Sequence, residues 1–179
     1  MKKIKFDKTR ALPLILTGSI ILVDQLTKAI IAAKWPIGAL VADVFNNGFL
    51  QIYHVRNKAI AFSLGQNVPD SIKPVLFVLL PILVLCVLLW YYLSSDDFTR
   101  VQRWATAGIL GGGIGNIIDR IFRTDGVVDF ISVKFYGLFG FDRWPTFNAA
   151  DSSVVVCCLL LFVTIIIDSA KSRGKTANE

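Results

Sequence analysis

The chain has 179 residues, 54% of them hydrophobic and only 18% charged, with a mean hydropathy of +0.60 and a net charge of +6. The apolar share lies above the usual range of soluble domains, so lipid is the expected solvent. The positive balance does not point to nucleic acid, because the cations gather at the two ends, in Lys2, Lys3, Lys5, Lys8 and Arg10 and again in Lys171, Arg173 and Lys175, a pattern that orients a membrane protein.

A spanning helix needs about 20 mostly apolar residues. The first such stretch, 11–33, follows a basic segment as a secretory signal would. Asp24 interrupts it, no small-x-small cleavage site follows, and three more apolar stretches come later, so it is expected to be retained as a helix. Next, Phe49–Val55 is rich in aromatic and β-branched residues and predicts a strand of a small surface sheet. The second apolar stretch, 74–93, carries no charge, and its Pro81 is tolerable because neighbouring helices can satisfy the freed carbonyl. The third, 104–122, is short and holds Gly108, Gly111, Gly112, Gly113 and Gly115. Gly108 with Gly112, and Gly111 with Gly115, form small-xxx-small pairs suited to close helix packing. Beyond it, Phe135–Trp144, with Gly137 and Gly140 among aromatics, is expected to lie at the membrane interface as a lid or anchor. The fourth stretch is 149–167. All three cysteines, Cys86, Cys157 and Cys158, fall in apolar runs without a CxxC pair, which argues against disulfide or zinc frameworks.

The expectation is an all-α polytopic membrane protein, a single domain over 1–179, with four transmembrane helices, a small β-rich extracytoplasmic region and an outer loop or lid. Segments 1–10, 94–103 and 169–179 hold ten Lys or Arg in 31 positions, whereas 34–73 and 119–149 hold eight in 71. That density predicts cytoplasmic termini and outward-facing long loops.

Elimination narrows the chemistry. With one histidine, His54, HExxH zinc sites and multi-histidine metal sites are excluded, and the one glutamate is Glu179. Acid-base chemistry near the membrane therefore falls to aspartates. Asp24 lies 13 residues beyond Ala11, roughly 20 Å along a helix, with Lys28 at i+4. A structural ion pair on one helix face is favoured there over direct catalysis. Asp151 follows Asn148 at capping-box spacing and, taken alone, reads as a helix cap. Asp129, set in Val127-Val128-Asp129-Phe130-Ile131, is a carboxylate between apolar neighbours and calls for a partner.

The topology supplies one. The third helix ends and the fourth begins at the outer face, so Asp129 and Asp151 can meet although 22 positions separate them. Two such carboxylates share a proton; one can act as base on a water while the other donates to a scissile carbonyl, with no metal or cofactor. Asn116 and Arg120 stand at i and i+4. Either they hold a peptide carbonyl or orient a carboxylate, or Asp119 and Arg120 form a charged cluster at the membrane edge with Asn116 as helix glue. The GGGIG run lacks the Lys-Ser/Thr of a phosphate loop and reads as helix packing.

These residues resemble one family throughout the chain, the lipoprotein signal peptidases (signal peptidase II) of bacteria. The matching segments are Asp24-Gln25-Leu26-Thr27-Lys28, Arg56 to Ser63, Gly115 to Arg120, Val127 to Phe130 and Phe147 to Asp151. The resemblance implies an aspartic endopeptidase of the bacterial cytoplasmic membrane that removes signal peptides from diacylglyceryl-modified prolipoproteins, cutting before the lipidated cysteine. It implies Asp129 and Asp151 as the catalytic dyad and Asn57, Asn116, Arg120 and Asn148 as supporting residues, with Asp24 and Lys28 supporting the fold or the site. The expected partners are prolipoprotein substrates and membrane lipid, with the enzyme monomeric and no nucleic acid involved. Two departures stand out: Ala59 occupies a position that is usually Gly, and the stretch from Asp129 to Asp151 is a few residues long. The competing readings are a small transporter with an aspartate-lined path and a non-catalytic scaffold. Against the transporter, the aspartates gather near one face while 74–93 carries no charge.

Overall fold

The computed structural model describes residues 7–58, 68, 69 and 71–176, with side chains to 171. Ala59–Ser63 of the second matching segment, the N-terminal Lys2, Lys3 and Lys5, and Glu179 lie outside the described residues, as do the side chains of Arg173 and Lys175.

A short helix α1 (Lys8–Ala11), capped by the Asp7 carboxylate, leads into α2 (Pro13–Lys34), which opens on a proline whose missing N–H would have had no helical partner there. The second apolar stretch starts as a π-helical turn (Val75–Leu79) and continues as α3 (Leu80–Ser94). Leu80 N–H bonds to Val75 O, five residues back, and Pro81 follows directly. The wide turn absorbs the proline within the helix, so relief comes from the local winding and not only from neighbouring helices. Helix α4 (Arg100–Phe122) starts on a reciprocal capping box between Thr99 and Gln102, four residues earlier than hydropathy indicates. Helix α5 runs Ala149–Thr176.

Among the described residues, three helical segments are long and apolar enough to cross a membrane: Lys8–Lys34, Val75–Ser94 and Ala149–Lys171. The expected third span, within α4, is not among them. Its 23 residues suffice in length, but glycines and the polar Gln102, Arg103, Asn116, Asp119 and Arg120 dilute its hydropathy. The compensation is burial, since α4 packs against α2, α5 and α3 and contributes more buried residues than any other helix.

Exposure is inverted relative to a soluble bundle. Leu22, Leu83, Trp90, Leu159 and Phe162 are each at least 60% exposed, while Arg10, Asp24, Lys28, Arg103 and Asp119 are buried. An apolar outside this extensive marks a surface meant for lipid. The interior is closed by small residues. A Cβ on Gly112 would overlap Ala150 O, one on Gly108 would overlap the Cys157 side chain, and one on Gly111 would lie 3.0 Å from Thr17 O. The glycine spacing thus serves two partners, α5 and α2.

Strands β1 (Leu40–Asp43), β2 (Leu50–Asn57) and β3 (Val127–Val133) form an antiparallel sheet in that order. The β2 strand was legible in its aromatic and β-branched run, and β3 is the apolar run around Asp129. Register pairs Val55 with Asp129 and Asn57 with Val127, across an irregularity between Ile52 and Val55. Val128 and Phe130 pack with Ile31 of α2, which fixes the sheet to the last turns of that helix. Residues Phe135–Trp144 form a hairpin-like excursion. Arg143 holds its return limb by bonds to Ser132 Oγ (2.8 Å), Ser132 O (2.9 Å) and Gly48 O (2.8 Å), and Tyr136 and Phe139 stand exposed at the tip.

Helix packing at glycine gives a direct test. Gly112→Ala must displace main chain at the start of α5 and is expected to destabilise by about 1–3 kcal/mol despite the better helix propensity of alanine. Gly18→Ala, with nothing within 4 Å of the added carbon, is expected to be neutral or to gain up to about 1 kcal/mol. Thermal unfolding in detergent, followed by circular dichroism, separates the two.

Candidate active site

The chain returns to the sheet just before α5. Phe147 pairs with Ile131 on the free edge of β3, its N–H bonding to Ile131 O at 3.0 Å and its carbonyl accepting from Ile131 N at 2.8 Å and Phe130 N at 3.0 Å. The next residue, Asn148, is thereby set beside Asp129 at the point where α5 begins. Asn148 is fully buried.

From there it reaches both aspartates. Asn148 Nδ2 donates to Asp129 Oδ1 at 2.7 Å, and Asn148 N–H donates to Asp151 Oδ2 at 3.1 Å. Asn148 Oδ1 accepts from Asp151 N at 2.9 Å. The reciprocal bonds form the capping box expected from spacing, and the same asparagine also holds the second carboxylate. Each aspartate has one further amide donor: Asn57 Nδ2 to Asp129 Oδ2 at 3.0 Å, and Asn116 Nδ2 to Asp151 Oδ1 at 2.7 Å. Asn116 Oδ1 in turn accepts from Asn148 Nδ2 at 3.1 Å and Lys28 Nζ at 2.9 Å. Burial above all, then the nearby Asp151 charge, pushes the Asp129 carboxyl up from 3.8 to about 7, with the Asn57 and Asn148 bonds acting against them. A carboxyl with that value gives up or takes a proton near neutrality.

Beneath this pair lies a buried ion cluster. Lys28 Nζ sits 2.8 Å from Asp24 Oδ2 and 3.3 Å from Asp119 Oδ2, and all three side chains are fully buried. Asp24 Oδ1 accepts from Ala150 N at 3.0 Å, reaching across 126 residues to the first turn of α5. Asp119 accepts from Gln25 Nε2 (3.0 Å), Arg123 Nε (3.1 Å) and Val128 N (3.0 Å). The Asp24–Lys28 pair therefore exists as the i,i+4 spacing indicates, but as part of a larger cluster joining α2, α4, α5 and β3. Asp24 stands midway along α2, ten residues or about 15 Å from its Lys34 end, so the cluster is recessed along that helix.

Asp119 bears on the two alternatives that the sequence left open for Asn116, Asp119 and Arg120. As part of a charged cluster at a membrane edge it would be exposed; it is completely buried and pairs with Lys28 and Arg123. The available signal was its i,i+4 spacing to Arg123. Arg120, the residue grouped with it, is half-buried, stacks 5.5 Å over the Phe77 ring and stands within electrostatic reach of Asp129 and Asp151. His54 is engaged elsewhere: one ring nitrogen, Nδ1, lies 2.7 Å from Trp35 O, and the other accepts from Arg56 Nε at 3.0 Å. These contacts make it a brace between the end of α2 and β2.

Comparison with known proteins agrees with the resemblance. A family model described as signal peptidase (SPase) II matches residues 16–167. The lipoprotein signal peptidase of Treponema pallidum (strain Nichols) is 40% identical over 166 residues, covering 93% of this chain and 89% of the relative. That of Treponema denticola is 44% identical over 162 residues, covering 90% and 92%. Among solved structures, a bacterial membrane enzyme determined by the in meso method at 2.3 Å resolution superposes with a TM-score of 0.75 at 29% identity, covering 96% of this chain and 95% of the other. A second, at 1.9 Å resolution, gives 0.72 at 30% identity, covering 92% and 97%.

The ion cluster predicts a non-additive mutant series. Lys28→Met leaves Asp24 buried without its cation and is expected to lose about 3–5 kcal/mol. Adding Asp24→Asn removes the stranded charge, so the double variant is expected to be more stable than Lys28→Met alone. Urea or thermal unfolding in detergent gives the coupling directly.

Proposed function

The chain belongs to the signal peptidase II family, and on that premise we propose that it cleaves diacylglyceryl-modified prolipoproteins before the lipidated cysteine by an Asp129/Asp151 aspartic mechanism. The observation that carries the mechanism is the fully buried Asn148, which binds Asp129 through its side chain and Asp151 through its main chain. Two carboxylates held by one asparagine cannot both ionise easily, so the pair retains one proton.

That proton rests on Asp129, whose pKa of about 7 suits an acid at neutral pH. Asp151 serves as the base, in the first turn of α5 where the helix dipole favours negative charge. Asp151 takes a proton from water as its oxygen adds to the scissile carbonyl carbon, and Asp129 gives its proton to the carbonyl oxygen. The tetrahedral diol collapses when Asp151 passes its proton to the leaving nitrogen and Asp129 recovers one from a hydroxyl. The peptide bond is thus exchanged for a carboxylic acid and an amine, and the dyad ends in its starting state. Asn57, Asn116 and Asn148 fix the carboxyl planes with neutral donors, Arg120 serves the substrate carbonyl or the dyad charge, and Asp24 with Lys28 holds the helices in place.

In this reading α4 crosses the bilayer with the three apolar helices, giving four spans over a single domain. Both termini lie in the cytoplasm, as the Lys and Arg distribution supports, and the dyad lies towards the outer face of the cytoplasmic membrane. Phe135–Trp144 acts as lid or interfacial anchor. The enzyme works as a monomer in this reading.

Incubation of purified protein with a diacylglyceryl-modified precursor, read by mass spectrometry, tests the assignment. Asp129→Asn and Asp151→Asn are each expected to reduce cleavage on the order of 10⁴-fold while retaining the wild-type circular dichroism spectrum. Cleavage near the wild-type rate in either variant refutes the dyad; intact processing with lost ion flux favours a transporter.

The pH dependence has a defined sign. Asp129 is protonated below about pH 7 and loses its proton above, so kcat/KM is expected to fall as pH rises through neutrality. Asn57→Ala removes a donor that favours the ionised form, and the falling limb is expected to move to higher pH. A pH–rate profile of both proteins measures the shift.

A further inference from the structure

A cleft of about 550 Å³ opens at the opposite end of the bundle from the aspartates, where α1 and the start of α2 meet the α3–α4 connection and the start of α4. Its lining includes four cationic side chains, Lys8, Arg10, Arg100 and Arg103, and two acidic ones, Asp7 and Asp96. Arg103 and Asn116 are 13 residues apart on α4, about 20 Å along the axis, so the cleft is remote from the dyad.

The cations differ in how far they are neutralised. Arg10 is ion-paired with both Asp7 and Asp96. Arg103 is only 6% exposed, yet its guanidinium donates to two main-chain carbonyls, Tyr92 O at 3.2 Å and Ser95 O at 3.0 Å, and it pairs with no carboxylate among the described residues. It is held over the Tyr92 and Phe98 rings at 5.7 and 5.5 Å. Lys8 and Arg100 are exposed and likewise make no ion pair with a described residue. A buried guanidinium without a counter-charge favours an anion beside it. The remainder of the lining is apolar or amphipathic: Leu12, at the junction of α1 and α2, is 55% exposed and Trp104, in the first turns of α4, 39%. A free ion would use the cations alone, whereas a lipid would use the cations for its headgroup and Leu12 and Trp104 for the start of its acyl chains.

We propose that this cleft binds the phosphate headgroup of an anionic phospholipid between α1, the α3–α4 connection and the start of α4. The bound lipid neutralises Arg103 and ties these elements to one another. The site is independent of the peptidase reading, since none of its residues belongs to the cluster around Asp129 and Asp151.

The test uses full-length protein in mixed micelles containing either phosphatidylglycerol or phosphatidylcholine, with retained lipid read by native mass spectrometry and stability by thermal unfolding. Phosphatidylglycerol is expected to be retained at one per chain and to raise Tm above the phosphatidylcholine value. Because Arg103 also braces the fold, the decisive variant is the double substitution of the exposed cations, K8Q with R100Q. It is expected to weaken phosphatidylglycerol retention about thirtyfold while leaving precursor cleavage in phosphatidylcholine micelles unchanged. Equal retention of the two lipids, or unaltered retention in the double variant, overturns the proposal. Stabilisation by inorganic phosphate alone to the same extent as by lipid also overturns it, in favour of a free anion.

Discussion

A charge removed from water inside this bundle must find an opposite charge or hydrogen-bond partners in its place, and that constraint organises the rest of the molecule. Lys28 meets it by lying between Asp24 and Asp119 with Asn116 as a third partner. None of the three ionic side chains has solvent contact, so an unpaired member would carry a penalty of several kcal/mol. Satisfying the cluster fixes geometry at a distance: Asp24 takes Ala150 N at the start of α5, and Asp119 takes Val128 N one residue before Asp129. The two segments that carry Asp129 and Asp151 are therefore pinned by the same pair of buried carboxylates.

The four aspartates divide by the partners they are given. Asp24 and Asp119 meet cations, Lys28 and Arg123. Asp129 and Asp151 meet amides, the side chains of Asn57, Asn116 and Asn148 and the Asn148 main chain. A cation offsets the charge of a carboxylate, whereas a neutral amide donor orients it without adding an opposite charge. The polar interior thus contains an ion-paired layer and a titratable layer, joined by Asn116, which accepts from Lys28 and donates to Asp151. Asn148 links the titratable pair because Phe147 is paired to β3 immediately before it, so the helix start and the strand share one anchor.

How much of this was legible follows from which interactions are local. Apolar length is a local property, and the helices at 13–34, 75–94 and 149–176 sit close to where hydropathy places them. The Asp24–Lys28 pair and the Asn148–Asp151 cap were legible for the same reason, being spaced by one helical turn. β2 announced itself by composition, whereas β1, four residues with one aspartate, offered no such signal. The burial of Asp119 was not legible, because its partners Lys28 and Val128 N come from other elements. The triple use of Asn148, as cap, as donor to Asp129 and as donor to Asn116, depends equally on tertiary approach.

Helix α4 shows why a chain so apolar overall keeps its least apolar helix at the centre. A helix facing lipid must be greasy all round or carry its polar groups inward. α4 escapes that requirement because α2, α3 and α5 pack against it, and its glycines allow the approach, with Gly111 against Thr17 of α2 and Gly112 against Ala150 of α5. With its central turns enclosed by the other helices, α4 can present Asn116 and Asp119 to the interior one turn apart. Gly115 serves both purposes: a Cβ there would meet Asp24 Oδ2 at 2.8 Å and the Ala150 methyl carbon at 3.3 Å. The absence of a side chain at that position lets the Asp24 carboxylate pass between two helices to reach the α5 N-terminus. Close packing and polar chemistry are usually in competition inside a membrane protein, and here one glycine spacing accommodates both.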